Sequence, residues 1–254
     1  RNKNNSRFLG LVMPKVLIRT KYASLNIGFN FTQLSSQTSG LWGNGCIEFI
    51  RTVMCEFHRT AWFGYLKMVS IGPPAGAVIP PACSPLPDGT MRNKVAQVRL
   101  TRGLGQFFST NGFIPICESV KTHDLYCVGN RSVQNCFGSF NREILTQIQS
   151  VLIGCRMTHY LKVLIRSLVG QINSASECEQ ILVDWIRTYC ANLDQAAPEL
   201  LAKFPLKHAS LSVEPVAGST GTYACRISIV PQYQIDCHVG EVMIATELDM
   251  RASK

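Results

Sequence analysis

The chain has 254 residues, enough for one large domain or two small ones with a buried core. Only 16% of the residues are charged, and Gly and Pro (19 and 12 residues) are near average usage, which excludes disordered and collagen-like classes. The net charge of +9 suits an acidic partner, but Lys and Arg form no run of five, so nucleic-acid binding is weakly supported. A surface this poor in charge indicates burial against partners or low solubility alone.

The eleven cysteines include no CxxC pair, which favours buried free thiols in a reducing cytosol over a disulfide scaffold. The longest apolar stretch, residues 150–170, contains Arg156, His159, Lys162 and Arg166. Charges at mid-bilayer are costly, so we predict no membrane insertion.

The first half of the chain predicts short strands around one clear helix. Residues 8–19 form an apolar run broken by Pro14, which indicates an extended segment on each side of the proline. GLWGNG (40–45) is better read as a tight turn than as an anion-binding nest, because it lacks a phosphate-loop ending. A helix should begin at Cys46. Its apolar residues are Ile47, Ile50, Met54 and Phe57, opposite Glu48, Arg51, Glu56 and Arg59.

Further elements are predicted up to residue 139. They are strands at 61–69, 95–100, 113–117 and 125–128, a short helix at 101–110, and an irregular connection with six prolines at 72–89.

Residues 140–169 are predicted to be helical, with a break or kink near Gly154 where the apolar face moves. Before the break, the shared face comprises Ile144, Ile148, Val151, Leu152 and Cys155. After it, the apolar set comprises Met157, Leu161, Leu164, Ile165 and Leu168. His159, Lys162 and Arg166 form a basic stripe on the opposite side. Such a stripe is usually a solvated face, although it could contact an acidic protein or, less readily, lipid or nucleic acid.

The next helix carries a capping box in which Ser176 is the N-cap and Glu179 stands three residues later. Its continuous apolar face includes Cys178 and Cys190, which therefore belong to the core.

No catalytic or metal-binding pattern emerges. Cys155 and His159 are spaced i, i+4, but no second pair matches them, so a core thiol and a stripe imidazole are favoured over metal ligands. The sequence has no GxSxG and no HExxH, and its carboxylates are not paired. A Cys–His nucleophile elsewhere stays an alternative. We predict no catalytic residues, no metal and no cofactor.

The C-terminus changes to period-2 alternation, which predicts strands at 209–214, 222–230 and 239–247. Three strands leave exposed edges, and an edge invites a strand from a partner. The fold class is therefore α+β: a mixed sheet flanked by amphipathic helices, and a C-terminal open-edged antiparallel sheet completed by partner strands. The predicted division is an α/β region at 1–139, with the proline-rich connection at 72–89, and a helical segment plus C-terminal sheet at 140–254.

Eight stretches occur in an order that resembles the large subunit of the type VI secretion contractile sheath. They are RFLGLVMPKVLIRTKY (7–22), LWGNG (41–45), GFIPIC (112–117), SVQ (132–134), HYLKVLIRSLVG (159–170), CEQILVDWIRTYC (178–190), FPLKHASLSV (204–213) and GTYACRISIVPQYQID (221–236). The resemblance covers most of the chain and roughly the C-terminal half of the family's subunit. The sequence departs from the family at IGPPAGAVIPPAC (71–83), where a glycine cluster is usual, and at TRGLGQFF (101–108), where a charged helix is usual. SVQ also lacks the usual following proline and lysines.

The resemblance implies a non-enzymatic structural subunit in the bacterial cytoplasm. It implies a heterodimer with the small sheath subunit, a helical polymer of many copies around an inner tube, and attachment to a baseplate. Contraction of the polymer would drive the tube and its effectors into a target cell. A disassembling AAA+ unfoldase is a further implied partner, although its binding segment is expected to lie in the N-terminal half that is absent from this sequence.

The resemblance also implies that strands of neighbouring small subunits add to the C-terminal strands. The residues expected to take part are Tyr223, Arg226, Ile227, Ile229, Val242 and Ile244. A proline at Ile227 or Ile229 should then stop sheath assembly and leave the heterodimer largely intact. His159, Lys162 and Arg166 are candidates for contact with the inner tube or an acidic neighbour. The alternative function is a basic cytosolic module that binds an acidic protein or nucleic acid without forming a polymer.

Overall fold

The computed structural model describes residues 4–19, 41–64, 66, 78–79, 95–122, 124–135, 140–168, 174–191, 202–215, 222–232 and 242–249. Apart from residues 78 and 79, the predicted proline-rich connection at 72–89 lies outside these ranges. Two compact units are present. The first unit is drawn from Arg1–Glu56 and Tyr65–Gln134, and the second unit from Phe57–Gly64 and Asn135–Lys254. The linear division predicted between residues 139 and 140 stays a proposal.

The first unit is built on short strands, as the first half of the sequence predicts. After a 3-10 helix at Asn4–Phe8, its elements are β1 (Val12–Met13), β2 (Val16–Arg19), β3 (Leu41–Gly43), α1 (Gly45–Thr60, whose last turn belongs to the second unit), α2 (Arg102–Thr110), β4 (Ile114–Glu118) and β5 (Leu125–Cys127). One sheet has the order β1-β4-β5, with β1 parallel and β5 antiparallel to β4. β2 and β3 form an antiparallel pair. The predicted mixed sheet with helices is therefore confirmed.

Helix α2 packs against β4 through a glycine. A Cβ built on the buried Gly105 would lie 2.3 Å from the Cys117 sulfur and 3.2 Å from a Val128 methyl carbon. Only hydrogen fits there, so α2 can approach the sheet closely. Leu100 and Tyr126 complete the small core below the helix.

Helix α1 is confirmed as a helix, but its orientation is unusual. An amphipathic helix ordinarily buries its apolar stripe. Here Glu48, Phe49 and Thr52 are buried, and the apolar Ile47, Ile50 and Met54 are exposed. The Thr52 hydroxyl donates to the Glu48 carbonyl 2.9 Å away, so this buried polar group has a hydrogen-bond partner within the helix.

Two predicted strands of the first half differ from the structure. Residues 61–64 of the strand predicted at 61–69 form bends and a turn, because Ala61, which follows α1, has a φ of 60°, far from the extended backbone of a strand. Residues 65 and 67–69 of that prediction lie outside the described ranges. The strand predicted at 95–100 is reduced to a single bridge between Ala96 and Val16.

The second unit contains three helices and the C-terminal sheet. Its elements are α3 (Phe140–Leu145), α4 (Ile148–Leu168), α5 (Ala175–Arg187), β6 (Leu206–Pro215), β7 (Thr222–Pro231) and β8 (Val242–Asp249). The segment Phe57–Gly64 contributes Trp62, which is 5% exposed, to the core of this unit. The rest of that core includes Met157 and Leu161 of α4, Leu182 of α5 and Ile227 of β7.

The boundaries of the helices in the second unit differ from the prediction at two points. The predicted break at Gly154 is absent, because α4 runs without interruption from 148 to 168 and the interruption falls at residues 146–147. Helix α5 is capped by Ser174, whose hydroxyl accepts the backbone N–H of Glu177 at 3.2 Å, and not by Ser176. Ser174 has the extended backbone that an N-cap requires, and Ser176 already lies inside the helix.

Candidate functional site: a sheet edge and a basic helix face

The C-terminal sheet forms because its strands alternate between apolar and polar residues. Inward-facing positions of β6 and β7 are buried against the helices of the second unit. They are Leu211, Val213, Cys225, Ile227 and Ile229. On the solvent face, Arg226 lies 3.5 Å from Glu214, and both side chains are more than half exposed. An exposed pair of this kind adds little stability, so the buried face holds the sheet together.

The strand order is β6-β7-β8, with both pairings antiparallel. This order revises the set of residues expected to bind a partner strand. Tyr223, Arg226, Ile227 and Ile229 lie on β7, which is paired on both sides within the chain. A strand paired on both sides has no free backbone groups to offer. Val242 and Ile244 lie on β8, at the edge of the sheet.

The outer edge of β6 is partly satisfied by the chain itself. The Leu206 N–H donates to the Tyr189 carbonyl, and the Leu206 carbonyl accepts the Ala191 N–H. Further along, the Val213 N–H donates to the Glu179 carboxylate at 3.1 Å. For β8, no strand within the described ranges pairs with the outer edge. The candidate docking edge is therefore β8.

The bond to Glu179 also determines which residues of β8 face outward. The Val213 N–H points away from β7, so Val213 and its partner Cys225 form a non-hydrogen-bonded pair. Cys225 must then direct its backbone groups toward β8, where it faces Thr246. By alternation, Met243 and Ala245 direct their N–H and C=O groups to the open edge, and the side chains of both are exposed.

The predicted basic stripe lies on the solvent side of α4. His159, Lys162 and Arg166 are exposed, opposite the buried Met157 and Leu161. Cys155 is exposed on the same helix, so the expectation that it is a core thiol is wrong. The cause is the uninterrupted helix, which carries the inward face through Ile153 instead.

Arg156 is a structurally important residue that the sequence-based reasoning missed. Its guanidinium carbon lies 4.4 Å from the Trp62 ring centroid, 4.5 Å from Phe57 and 5.0 Å from Tyr160. It also donates to the Ala61 carbonyl and to the Tyr160 hydroxyl. This cluster fixes the segment 57–64 against α4. The feature of the sequence that could have indicated this cluster is the group of aromatic residues in FHRTAWF (57–63).

The buried thiols do not have the properties of nucleophiles. Burial raises the pKa of Cys117, Cys127 and Cys225 to about 12 in each case. A thiol of this kind is protonated and inert near neutral pH, because only the thiolate attacks. Within the described ranges, no three His, Cys, Asp or Glu side chains are placed to hold a metal ion. No described helix is long and apolar enough to span a membrane.

A sheet edge with no partner among the described strands and a charged helix face in the same unit are typical of proteins that assemble with other chains. The comparisons agree with this class. A family model described as the EvpB/VC_A0108 tail sheath N-terminal domain matches residues 1–134, and one described as the EvpB/VC_A0108 tail sheath gpW/gp25-like domain matches residues 138–248. The chain belongs to this tail sheath family.

A curated relative agrees with the family models. The chain is 25% identical over 252 residues to the type VI secretion system sheath protein TssC1 of Pseudomonas aeruginosa. The match covers 93% of this chain and 50% of the relative, so the chain spans about half of the relative's length.

Two crystal structures were also matched. The sheath tail protein of Desulfitobacterium hafniense has a TM-score of 0.41 at 10% identity, with 62% of this chain and 34% of that chain covered. The sheath tail protein of Listeria innocua has a TM-score of 0.36 at 10% identity, with 64% and 36% covered.

The predicted resemblance to the large subunit of the type VI secretion sheath is confirmed by the family models and by the relative. The family is a structural one, which supports the prediction that the chain is not an enzyme.

Proposed function

We propose that the chain is a structural subunit of a contractile type VI secretion sheath in the bacterial cytoplasm. It forms a heterodimer with the small sheath subunit, and the heterodimers polymerise around an inner tube above a baseplate. Contraction of this polymer drives the tube and its effectors into a target cell. Family membership supports the sheath role, and the heterodimer, the polymer and the stroke are the elements that we propose.

The observation that carries the proposal is the edge of β8. We propose that residues 140–254 interlock with neighbouring subunits there, while residues 1–139 form the remainder of the sheath domain. A partner strand would bond to the outward backbone groups of Met243 and Ala245, and main-chain hydrogen bonds would hold subunits together while they rotate. The β7 residues Tyr223, Ile227 and Ile229 would act indirectly, by holding β8 in place.

The test is a proline at position 245. In Ala245→Pro the outward donor is lost but the bonds between β7 and β8 remain, because an edge strand tolerates proline. Ala245→Ser keeps the N–H and is the matched control. After co-expression with the adjacent reading frames, Ala245→Pro should yield the heterodimer without tubules by negative-stain microscopy, and Ala245→Ser should yield normal tubules. Sheaths of normal length from Ala245→Pro would contradict the proposal.

A second candidate function is a basic module that binds an acidic protein or nucleic acid without polymerisation. The exposed His159, Lys162 and Arg166 favour it. The same co-expression discriminates the two functions, because a module of this kind forms no tubules with any neighbouring gene product.

A further inference from the structure

The proposed strand addition does not involve the exposed apolar stripe of α1. Ile47, Ile50 and Met54 are 55%, 57% and 66% exposed, although each is a side chain that folding normally buries. At about 100° per residue, the three lie within roughly 60° of one another and roughly opposite Glu48 and Thr52. The helix therefore presents its apolar side outward and its polar side to the core of the first unit.

The spacing of the stripe indicates what kind of surface would cover it. Residues 47, 50 and 54 are three and then four apart, which are the a and d positions of a heptad. Such a narrow stripe fits the apolar stripe of a second helix, in which side chains insert between those of the facing helix.

The charged residue beside the stripe is basic. Arg51 lies about 70° from the centre of the stripe, whereas Glu48 and Glu56 lie more than about 120° away. Arg51 is 3.9 Å from the Glu48 carboxylate, the outer limit of an ion pair, and its side chain is 33% exposed. Acidic residues beside the partner's stripe would therefore complement this helix.

A second copy of this chain fits less well. Two antiparallel copies would bring Arg51 to both sides of the contact, and like charges across such a contact are unfavourable. Three side chains also supply much less than the roughly 800 Å² per partner that a stable dimer requires.

We propose that the Ile47–Ile50–Met54 face of α1 is a docking site for an amphipathic helix of another protein whose apolar stripe is flanked by acidic residues. The proposal stands on α1 alone and does not depend on strand addition at β8. Binding through this face alone is weak because the area is small, so it contributes mainly when the partner is also held elsewhere.

The test uses two designed peptides of three heptads with Leu at a and d. One peptide carries Glu and the other Lys at e and g, and binding to the full chain is followed by fluorescence anisotropy. The acidic peptide should bind about tenfold more tightly than the basic one, and added salt should reduce this preference. Arg51→Glu should reduce or reverse it.

The apolar component of the site is tested with Ile50→Asp and, independently, Met54→Asp. Both positions are exposed, so both variants should keep the melting temperature of the parent chain. Each should lower affinity for the acidic peptide about tenfold. Val163→Asp is the matched control, because Val163 is 53% exposed on α4, and it should bind normally. The proposal is overturned if neither peptide binds, if the basic peptide is preferred, if Ile50→Asp binds normally, or if sedimentation shows a homodimer that Ile50→Asp abolishes.

Discussion

The carboxylate of Glu179 accepts the backbone N–H of Val213 at 3.1 Å, and this bond ties helix α5 to the outer edge of β6. Without this bond, the Val213 N–H would be an unpaired donor at the edge of the sheet, available to a strand of another chain. The bond therefore helps to close β6 to partners, and among the described strands β8 is the candidate docking edge. A single side chain contributes in this way to the direction in which the sheet can grow.

We predict that Glu179→Ala lowers the free energy of unfolding by about 1–3 kcal/mol, because the Val213 N–H then loses a charged acceptor in a nearly buried position. Glu179→Gln should lose less, since its amide oxygen can still accept. Urea unfolding measures both. Asp184→Ala on the same helix is the control, because its ion pair with Arg187 is exposed and worth little. Equal losses for Glu179→Ala and Asp184→Ala would rule out the role of Glu179.

The two glycines of α2 should respond to alanine in opposite directions. Gly105→Ala forces a Cβ to within 2.3 Å of the Cys117 sulfur, so we expect a loss of about 1–3 kcal/mol in the free energy of unfolding. A Cβ on Gly103 meets nothing within 4 Å, and Gly103→Ala should gain up to about 1 kcal/mol from helix propensity. Thermal and urea unfolding of the pair provide the measurement. Stabilisation by both substitutions would show that α2 does not require the close approach.

The buried thiols predict a loss of stability in alkali. Burial raises the pKa of Cys117, Cys127 and Cys225 to about 12 in the folded chain, whereas an unfolded thiol has a pKa of about 8.5. Between these values the unfolded state has lost protons that the native state retains, so stability falls as pH rises. The stability that the protonated buried thiols contribute is fully present below the pKa of the unfolded thiol. Each thiol should shift the unfolding equilibrium by up to about tenfold per pH unit.

Urea unfolding between about pH 8 and pH 11 measures this slope. Cys225→Ala should make the slope shallower, because it removes one of the three buried thiols. If Cys225→Ala leaves the slope unchanged, this thiol does not contribute to the pH dependence.

The type of most elements could be predicted from the sequence, because periodicity reports directly on which side of an element is apolar. Helices α1, α2 and α5 and strands β4 to β8 all appear near their predicted positions. The direction of the α1 face could not be predicted. Periodicity identifies an apolar stripe, but it does not say whether the chain's own core or another molecule covers that stripe.

The strand order of the C-terminal sheet could not be predicted from the sequence either. Alternation places Ile227 and Val242 on strands equally well, but the register alone shows that β7 is central and β8 is at the edge. The sequence pattern also could not distinguish Ser174 from Ser176 as the N-cap of α5. Both precede an acidic residue by three positions, and the backbone geometry decides between them.

The basic stripe of α4 supplies the last prediction. Lys162 and Arg166 are exposed one turn apart, so Lys162→Glu with Arg166→Glu reverses the charge of the stripe and should leave the fold unchanged. If the stripe faces an acidic inner tube or neighbour, this double variant blocks sheath assembly by like-charge repulsion. Lys121→Glu with Lys203→Glu changes the net charge equally at exposed positions elsewhere and should assemble normally. Tubules counted by electron microscopy, with heterodimer recovery as the folding control, separate the two cases. Normal tubules from the stripe variant would return these residues to an ordinary solvated helix face.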